Sequence, residues 1–334
     1  METITALHEQ AKMTIVRACR LLGMPRATYY RIDRGYQHYT PVKNPMPQRE
    51  RHQPAALTEE EHQQVLDVLL DPDLTEKSLV QAYWIGFDAN RLTCSERQFY
   101  RIAKAQGLVG DRRRGRHSGG SGRKKPVVHA TEPNQLWTWD ITILRGPGRQ
   151  LYRLYLAIDV FSRYPVAWRI ETDETGAKAA EMFLDAFARH GAPRLLHADN
   201  GAAMRSKDLE KELKNSPTSH SFSRPKVSND NPFSESLFKT LKYDLAHPER
   251  FDSIDHARQW TAQFLQRYAS EHRHSGLGRH TPQQVYTRKA KLVRRARQRR
   301  LNAIAKAHPQ RFPKPPQAPP LPTATGINHL PQTG

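Results

Sequence analysis

The chain is poor in cysteine and in acid. Its 334 residues include two cysteines, Cys19 and Cys94. Two thiols build neither a disulfide framework nor a cysteine-rich zinc site, so a reducing compartment is expected. No stretch approaches the roughly 18 apolar residues of a membrane-spanning helix. The polar N-terminus does not read as a secretory signal, and a cytoplasmic location without membrane association is expected. Acidic residues number 33 against 53 lysines and arginines, a formal charge of +20. That excess suits a polyanionic partner, nucleic acid first. Charge alone fits a ribosome-associated or simply basic protein equally well. The length fits two or three domains.

The basic charge is unevenly placed. Residues 111–125, DRRRGRHSGGSGRKK, hold seven Lys/Arg, one Asp and four glycines, the composition of a flexible cationic linker. Residues 288–306 hold nine Lys/Arg and no acid. Their outward charge reads as phosphate contact, or as a solvated helix face. Residues 309–334 hold eight prolines, and an extended or disordered tail is expected. These shifts divide the chain into a helix-turn-helix-like segment (1–55), a second such domain (56–110), a basic linker (111–130), a mixed α/β core (131–290) and a basic, Pro-rich tail (291–334).

In the N-terminal half, TIVRACRLLGMPRATYYRI (14–32) reads as two helices punctuated by Gly23 and Pro25. In the second unit, Ser95 and Gln98 have capping-box spacing. The helix they open carries Arg97, Arg101 and Lys104, with Phe99, Tyr100 and Ile102 available for packing. A second helix with exposed bases is what a major-groove reader needs; an ordinary helical hairpin has the same pattern. Together with Arg112, Arg113 and Arg114 of the linker, these are the candidate DNA contacts. Base reading is assigned to this half, and residues 126–334 are expected to fold and bind DNA without it.

The core opens with NQLWTWDITIL (134–144). Alternation puts Trp137, Trp139, Ile141 and Ile143 on one strand face and Leu136, Thr138, Asp140 and Thr142 on the other. An aspartate in mid-strand is costly without a partner. Strands follow at 151–161 and 164–170, then a helix over 175–190, then RLLHADNG, a short strand ending on Asp199. Asn231 reads as an N-cap and Pro232 as the first position of a helix carrying Glu235, Lys239 and Lys242 on one face. An exposed Glu235–Lys239 ion pair accounts for those two residues and not for the two strand aspartates. Asp140, Asp199 and Glu235, delivered by two strands and a helix, form an all-oxygen donor set suited to two magnesium ions.

WTWDIT, HADNG and SNDNPFSESLFKTLKY resemble the DDE catalytic core shared by retroviral integrases and bacterial insertion-sequence transposases. Fifty-eight residues separate Asp140 from Asp199, and 35 separate Asp199 from Glu235, the second interval being typical of that superfamily. The resemblance extends through YLAIDVFSRYPVAW and QRYASEHRHSGLGRHTPQQVY, and to CSERQFYRIAKAQGLVGDRRR before the linker. About two thirds of the chain resembles the second-frame (OrfB) transposase of a large bacterial insertion-sequence family. It implies an α/β, RNase H-like mixed sheet flanked by helices and preceded by all-α helix-turn-helix units. It also implies two divalent ions (Mg, with Mn as substitute) on Asp140, Asp199 and Glu235, and cleavage and transfer of strands at element ends. Lys239 and Lys242 resemble residues that hold end DNA. The implied partners are double-stranded DNA, further copies of the chain, and a protein from an upstream reading frame; the implied location is the bacterial nucleoid. A silent DNA-binding regulator and an RNase H-type nuclease are the alternatives. Within the core, residues 213–222 are more polar than expected ahead of a catalytic helix. Asp159 is expected to bond the Ser162-Arg163 turn, His197 to be a strand residue, and Asn200 and Gly201 to shape the turn after Asp199. His272, His274 and His280 are expected in phosphate contact or helix capping.

Overall fold

A computed structural model describes residues 1–35, 46–47, 53–74, 76–109, 128–199, 201, 203–214, 216–223 and 231–327. The chain divides into two compact units, Met1–Pro54 and Ala55–Gly334. In the first, α1 (Glu2–Glu9), α2 (Ile15–Leu21) and α3 (Arg26–Asp33) close around Ile4, Ala18, Cys19 and Tyr29. Gly23 has a φ of +67° in the turn between α2 and α3. Glycine takes that conformation without strain. Pro25 is the N-cap residue of α3.

The second unit begins with α4 (Glu59–Leu69), α5 (Leu79–Asp88) and α6 (Glu96–Ala105). Thr58 opens α4 with a reciprocal capping box to Glu61. Ser95 opens α6, its hydroxyl accepting from the Gln98 amide. Phe99 and Ile102 are buried, whereas Tyr100, placed among the packing residues by the sequence, is 46% exposed. Arg97, Arg101 and Lys104 are exposed.

The main sheet is built from β2 (Leu136–Arg145), β3 (Leu151–Asp159), β4 (Pro165–Glu171), β5 (Leu195–Ala198) and β6 (Ser219–Phe222), in the order β4-β3-β2-β5-β6. The first three strands form an antiparallel meander; β5 and β6 then add parallel to β2. α7 (Gly176–His190) supplies the crossover between β4 and β5, and α8 (Lys207–Lys214) that between β5 and β6. A meander extended by parallel crossovers in this order is an RNase H-like sheet.

Helices cover both faces. Trp137, Trp139 and Tyr155 pack with Ala179, Phe183 and Ala186 of α7. On the other face Leu144, Leu154, Leu156 and Ile158 meet α9 (Pro232–Lys242) and α10 (Ile254–Glu271) through Leu237, Leu241, Phe264 and Leu265. The polar composition of 213–222 has a physical reason. β6 is an edge strand, and Ser221 bonds His197 of β5 across it.

The last third of the chain is tied into this unit. α11 (Pro282–Tyr286) leads to α12 (Ala290–Ala307), which joins the helical layer. Ile304 packs with Val65, Phe87 and Phe99. Arg297, 3% exposed, donates to both carboxylate oxygens of Asp88 at 2.7 and 2.8 Å and lies over the Trp84 ring. Arg311 does the same to Glu61 at 2.6 and 2.7 Å, holding its carboxyl down at about 2. Beyond α12 the chain is extended but anchored. β7 (Thr325–Ile327) pairs with β1 (Val128–Ala130), where a side chain at Gly326 would run into the Val128 carbonyl. A 126–334 fragment, expected to fold by itself, would strip Asp88, Trp84 and Glu61 from α12 and Arg311. The basic run is not uniformly outward, since Arg297 and Arg300 turn inward.

Removing one partner from a buried ion pair strands the other charge. Arg297→Ala is expected to destabilise the chain by about 3 kcal/mol, the low end for such pairs because Asp88 keeps Arg273 at 3.2 Å and some solvent contact. Denaturant melts of the variant and of a 1–289 truncation check this. Unchanged midpoints would show that α12 is only resting on the helical layer.

Candidate active site

β2 and β5 run parallel with Trp139 opposite Ala198. The next residues, Asp140 and Asp199, therefore leave neighbouring strands at the same level. Neighbouring strands lie about 4.8 Å apart. The end of parallel strands is where α/β sheets present their chemistry. Asp140 is half-buried, and its Oδ1 accepts from the Ile141 amide at 2.8 Å. Burial pushes the Asp140 carboxyl up to about 7, and the charges of Asp199, Glu235 and Glu174 push it the same way. The charges of Asp199 and Glu235 are thus both felt at Asp140. Glu174, just before α7, was not singled out in the sequence; an exposed acid in a polar turn carries no signal there.

Asp199 is held by a chain of buried groups. Ser223 Oγ donates to Asp199 Oδ1 at 2.5 Å, and His197 Nε2 lies 3.2 Å from Ser223 Oγ. His197 is fully buried and its Nδ1 reaches Ser221. It is a strand residue, as anticipated, with the added task of fixing the serine that fixes Asp199. Asn200 lies outside the described residues.

Glu235 sits in the first turn of α9, with Lys239 and Lys242 exposed farther along the helix. Asn231 occupies the N-cap position without capping the helix. Its side chain is taken by β2, which overrides the local preference. Arg112, Arg113 and Arg114 lie outside the described residues.

Other candidates fall away from this place. Asp159 is fully buried and accepts from the Ser162 amide, the Ser162 hydroxyl and the Asn134 amide at 2.7, 2.5 and 2.8 Å. It locks the turn after β3. His274 accepts from the Gly276 amide, so it caps a short turn. Burial pushes His272 and His280 down to about 4 and His274 to about 3. Of the two expected roles, capping is met at His274, and neutral, largely buried rings speak against phosphate contact.

The donor chemistry fits hard divalent cations. The ligands on offer are carboxylate oxygens, and Asp140 is desolvated beside like charges, which a bound cation would relieve. Among the described residues, no three His, Cys, Asp or Glu side chains are gathered closely enough to hold a metal as they stand. Asp140 and Asp199 share a level, and Glu235 stands on a helix outside the sheet.

An RNase H-like sheet thus carries carboxylates midway along β2, just past the end of β5 and on a following helix. Residues 130–228 match one family model described as integrase core domain, and residues 217–282 match a second of the same description. Over these residues the core is similar to the integrase core domain family. Over 159 residues, 47% of this chain, it is 32% identical to the transposase for insertion sequence element IS904 of Lactococcus lactis, covering 62% of that protein. Over the same length it is 33% identical to transposase InsF for insertion sequence IS3A of Escherichia coli, covering 55%. The match therefore spans a little over half the length of these relatives. Among solved structures, a simian T-cell lymphotropic virus intasome aligns over 64% of this chain and 72% of its own, at 19% identity and a TM-score of 0.41. The HTLV-2 integrase catalytic core domain in complex with magnesium aligns over 46% and 97%, at 20% identity and a TM-score of 0.36. No helix among the described residues is long and apolar enough to cross a membrane.

The raised Asp140 carboxyl has a signed consequence. The folded chain keeps this proton up to about 7, whereas the unfolded chain loses it near the ordinary 3.8. With divalent ions chelated, stability should fall between about pH 4 and about pH 7, by at most ~1.4 kcal/mol per pH unit, and level off above. Asp140→Asn should remove that fall. Melting wild type and variant in EDTA at about pH 5 and about pH 8 decides it. Equal pH dependence of the two would mean that Asp140 is not desolvated.

Proposed function

We propose that the chain is a DDE transposase that binds insertion-element ends and carries out two-metal cleavage and strand transfer. The observation that carries this reading is the in-register pairing of β2 and β5, which sets Asp140 beside Asp199 within reach of the Glu235 charge. In this reading Asp140, Asp199 and Glu235 hold Mg or Mn. Bound divalent ions supply activation of the attacking oxygen and stabilisation of the leaving oxygen of a phosphodiester. The chain's own residues do the rest. Ser223 and His197 orient Asp199. Lys239 and Lys242, one and two turns beyond Glu235, hold the phosphates of the end DNA beside the carboxylates.

Reading and holding are assigned to different elements. Arg97, Arg101 and Lys104 form an exposed basic face on α6, the second helix of a helix-turn-helix-like pair. That face and α3 are assigned to the DNA duplex, and Arg112, Arg113 and Arg114 to its phosphates. Exposed Lys291, Arg295 and Arg299 of α12 add contacts without sequence information. Joining two element ends requires at least two copies on DNA, and the upstream-frame protein and a nucleoid location belong to the same reading.

Asp140→Asn, Asp199→Asn and Glu235→Gln each keep the shape of a ligand and remove its charge. Each is expected to abolish cleavage and joining of labelled end DNA while leaving end binding nearly intact. Magnesium or manganese should support the chemistry, and calcium should allow assembly with little turnover. Full activity in EDTA, or in any one of the three variants, would sink the assignment.

Charge on α6 is tested separately. Arg97→Glu with Arg101→Glu should weaken end binding and flatten the salt dependence by about 2 in log–log slope, if each arginine displaces one counterion. Binding measured at several salt concentrations gives the slope. An unaltered slope would remove α6 from the interface.

A further inference from the structure

Asn231 is fully buried at the head of α9. Its Oδ1 accepts from Thr138 Oγ1 at 2.5 Å, and its Nδ2 donates to the Trp139 carbonyl at 3.2 Å. Both partners lie on β2, in the two positions just before Asp140. A carboxamide has one accepting and one donating end, so this pair of contacts fixes the group in one direction. An aspartate would set an oxygen against the Trp139 carbonyl, and an alanine would leave Thr138 without its acceptor.

The clamp sits one helical turn from Glu235, whose amide donates back to the Asn231 carbonyl at 3.3 Å. A second contact steadies the same turn: the Arg163 guanidinium lies 4.2 Å from the centre of the Phe233 ring. The rise of α9 thus starts from a point tied to the strand of Asp140. That matters because Asp140 and Asp199 are aligned by strand pairing, whereas Glu235 comes from an element outside the sheet. Its distance from the other two is set by where α9 begins.

We propose that Asn231 is a positioning residue: through Thr138 and the Trp139 carbonyl it places Glu235 against Asp140 for joint metal holding. This rests on the two-metal reading above. Groups that orient metal ligands from behind typically change metal affinity by 10–100-fold when removed.

The test uses the full chain and Mn2+ alone, titrated by calorimetry, with melting in EDTA measured alongside. Thr138→Val removes the hydroxyl and keeps the shape; Asn231→Ala removes the whole clamp; Thr138→Ser restores the donor. Thr138→Val and Asn231→Ala are expected to raise the Mn2+ midpoint about tenfold or more, and Thr138→Ser to return it to the wild-type value. Should Asn231→Ala fail to fold, the Thr138 pair carries the comparison. A fall in melting temperature with the Mn2+ midpoint unchanged would overturn the proposal, because the clamp would then serve stability alone. Saturable Mn2+ binding by wild type that Glu235→Gln does not weaken would overturn it as well, leaving metal on the two aspartates. No saturable binding by wild type would bring down the two-metal reading and this inference with it.

Discussion

The pairing of β2 with β5 is the constraint on which the site depends. Parallel strands in register place Trp139 opposite Ala198, and the chain delivers an aspartate one residue later on each. A slip of one residue would turn one of the two carboxylates to the other face of the sheet. Packing on both sides resists that slip. Trp137 and Trp139 are locked against Phe183 and Phe187 of α7, while the opposite face is covered by α9 and α10. The register that buries two tryptophans is the register that holds two like charges side by side. Hydrophobic burial stabilises what electrostatics opposes, and the repulsion shows as the raised proton affinity of Asp140.

Two strand aspartates show how surroundings decide role. Asp159 and Asp140 both have proton affinities raised by burial. Around Asp159 the structure supplies two backbone amides and a hydroxyl within five residues or across one turn, and the carboxylate is absorbed into the fold. Around Asp140 the neighbouring charges are carboxylates. A group whose environment satisfies it is structural; a group whose environment repels its charge is relieved by a proton or by a cation. The raised affinity alone does not separate the two.

The parts legible in the sequence were those with a local period or a fixed interval. Alternation gave the two faces of β2, and the interval from Asp199 to Glu235 survived an edge strand of unusual polarity. The turn role of Asp159 was legible because its partner Ser162 is three residues away. What escaped was made by distant chain. Asn231 satisfies every local rule for a helix cap, yet Thr138, 93 residues earlier, claims its side chain. Ser223 and His197 were ordinary strand-edge polar residues until β6 paired with β5. Glu174 joins the site only because α7 crosses the sheet.

The same limit governs the basic run at α12. Its composition suggests a uniform cationic surface, but a helix packed on one side has an inner face. Arg297 spends its charge on Asp88 and its plane on Trp84, and Arg300 donates to the Leu92 carbonyl while lying over Phe87. Lys291, Arg295 and Arg299 remain outward. Guanidinium groups suit the inner role because they form flat, bidentate contacts and stack on aromatic rings. Counting charge along the sequence therefore overstates how much of it can displace counterions from DNA. Part of the positive charge here is an internal fastener, joining α12 to the helical layer that carries α6. The helix that carries Arg97 and Arg101 and the sheet that carries Asp140 therefore lie in one compact unit, Ala55–Gly334, tied in part by these internal arginines.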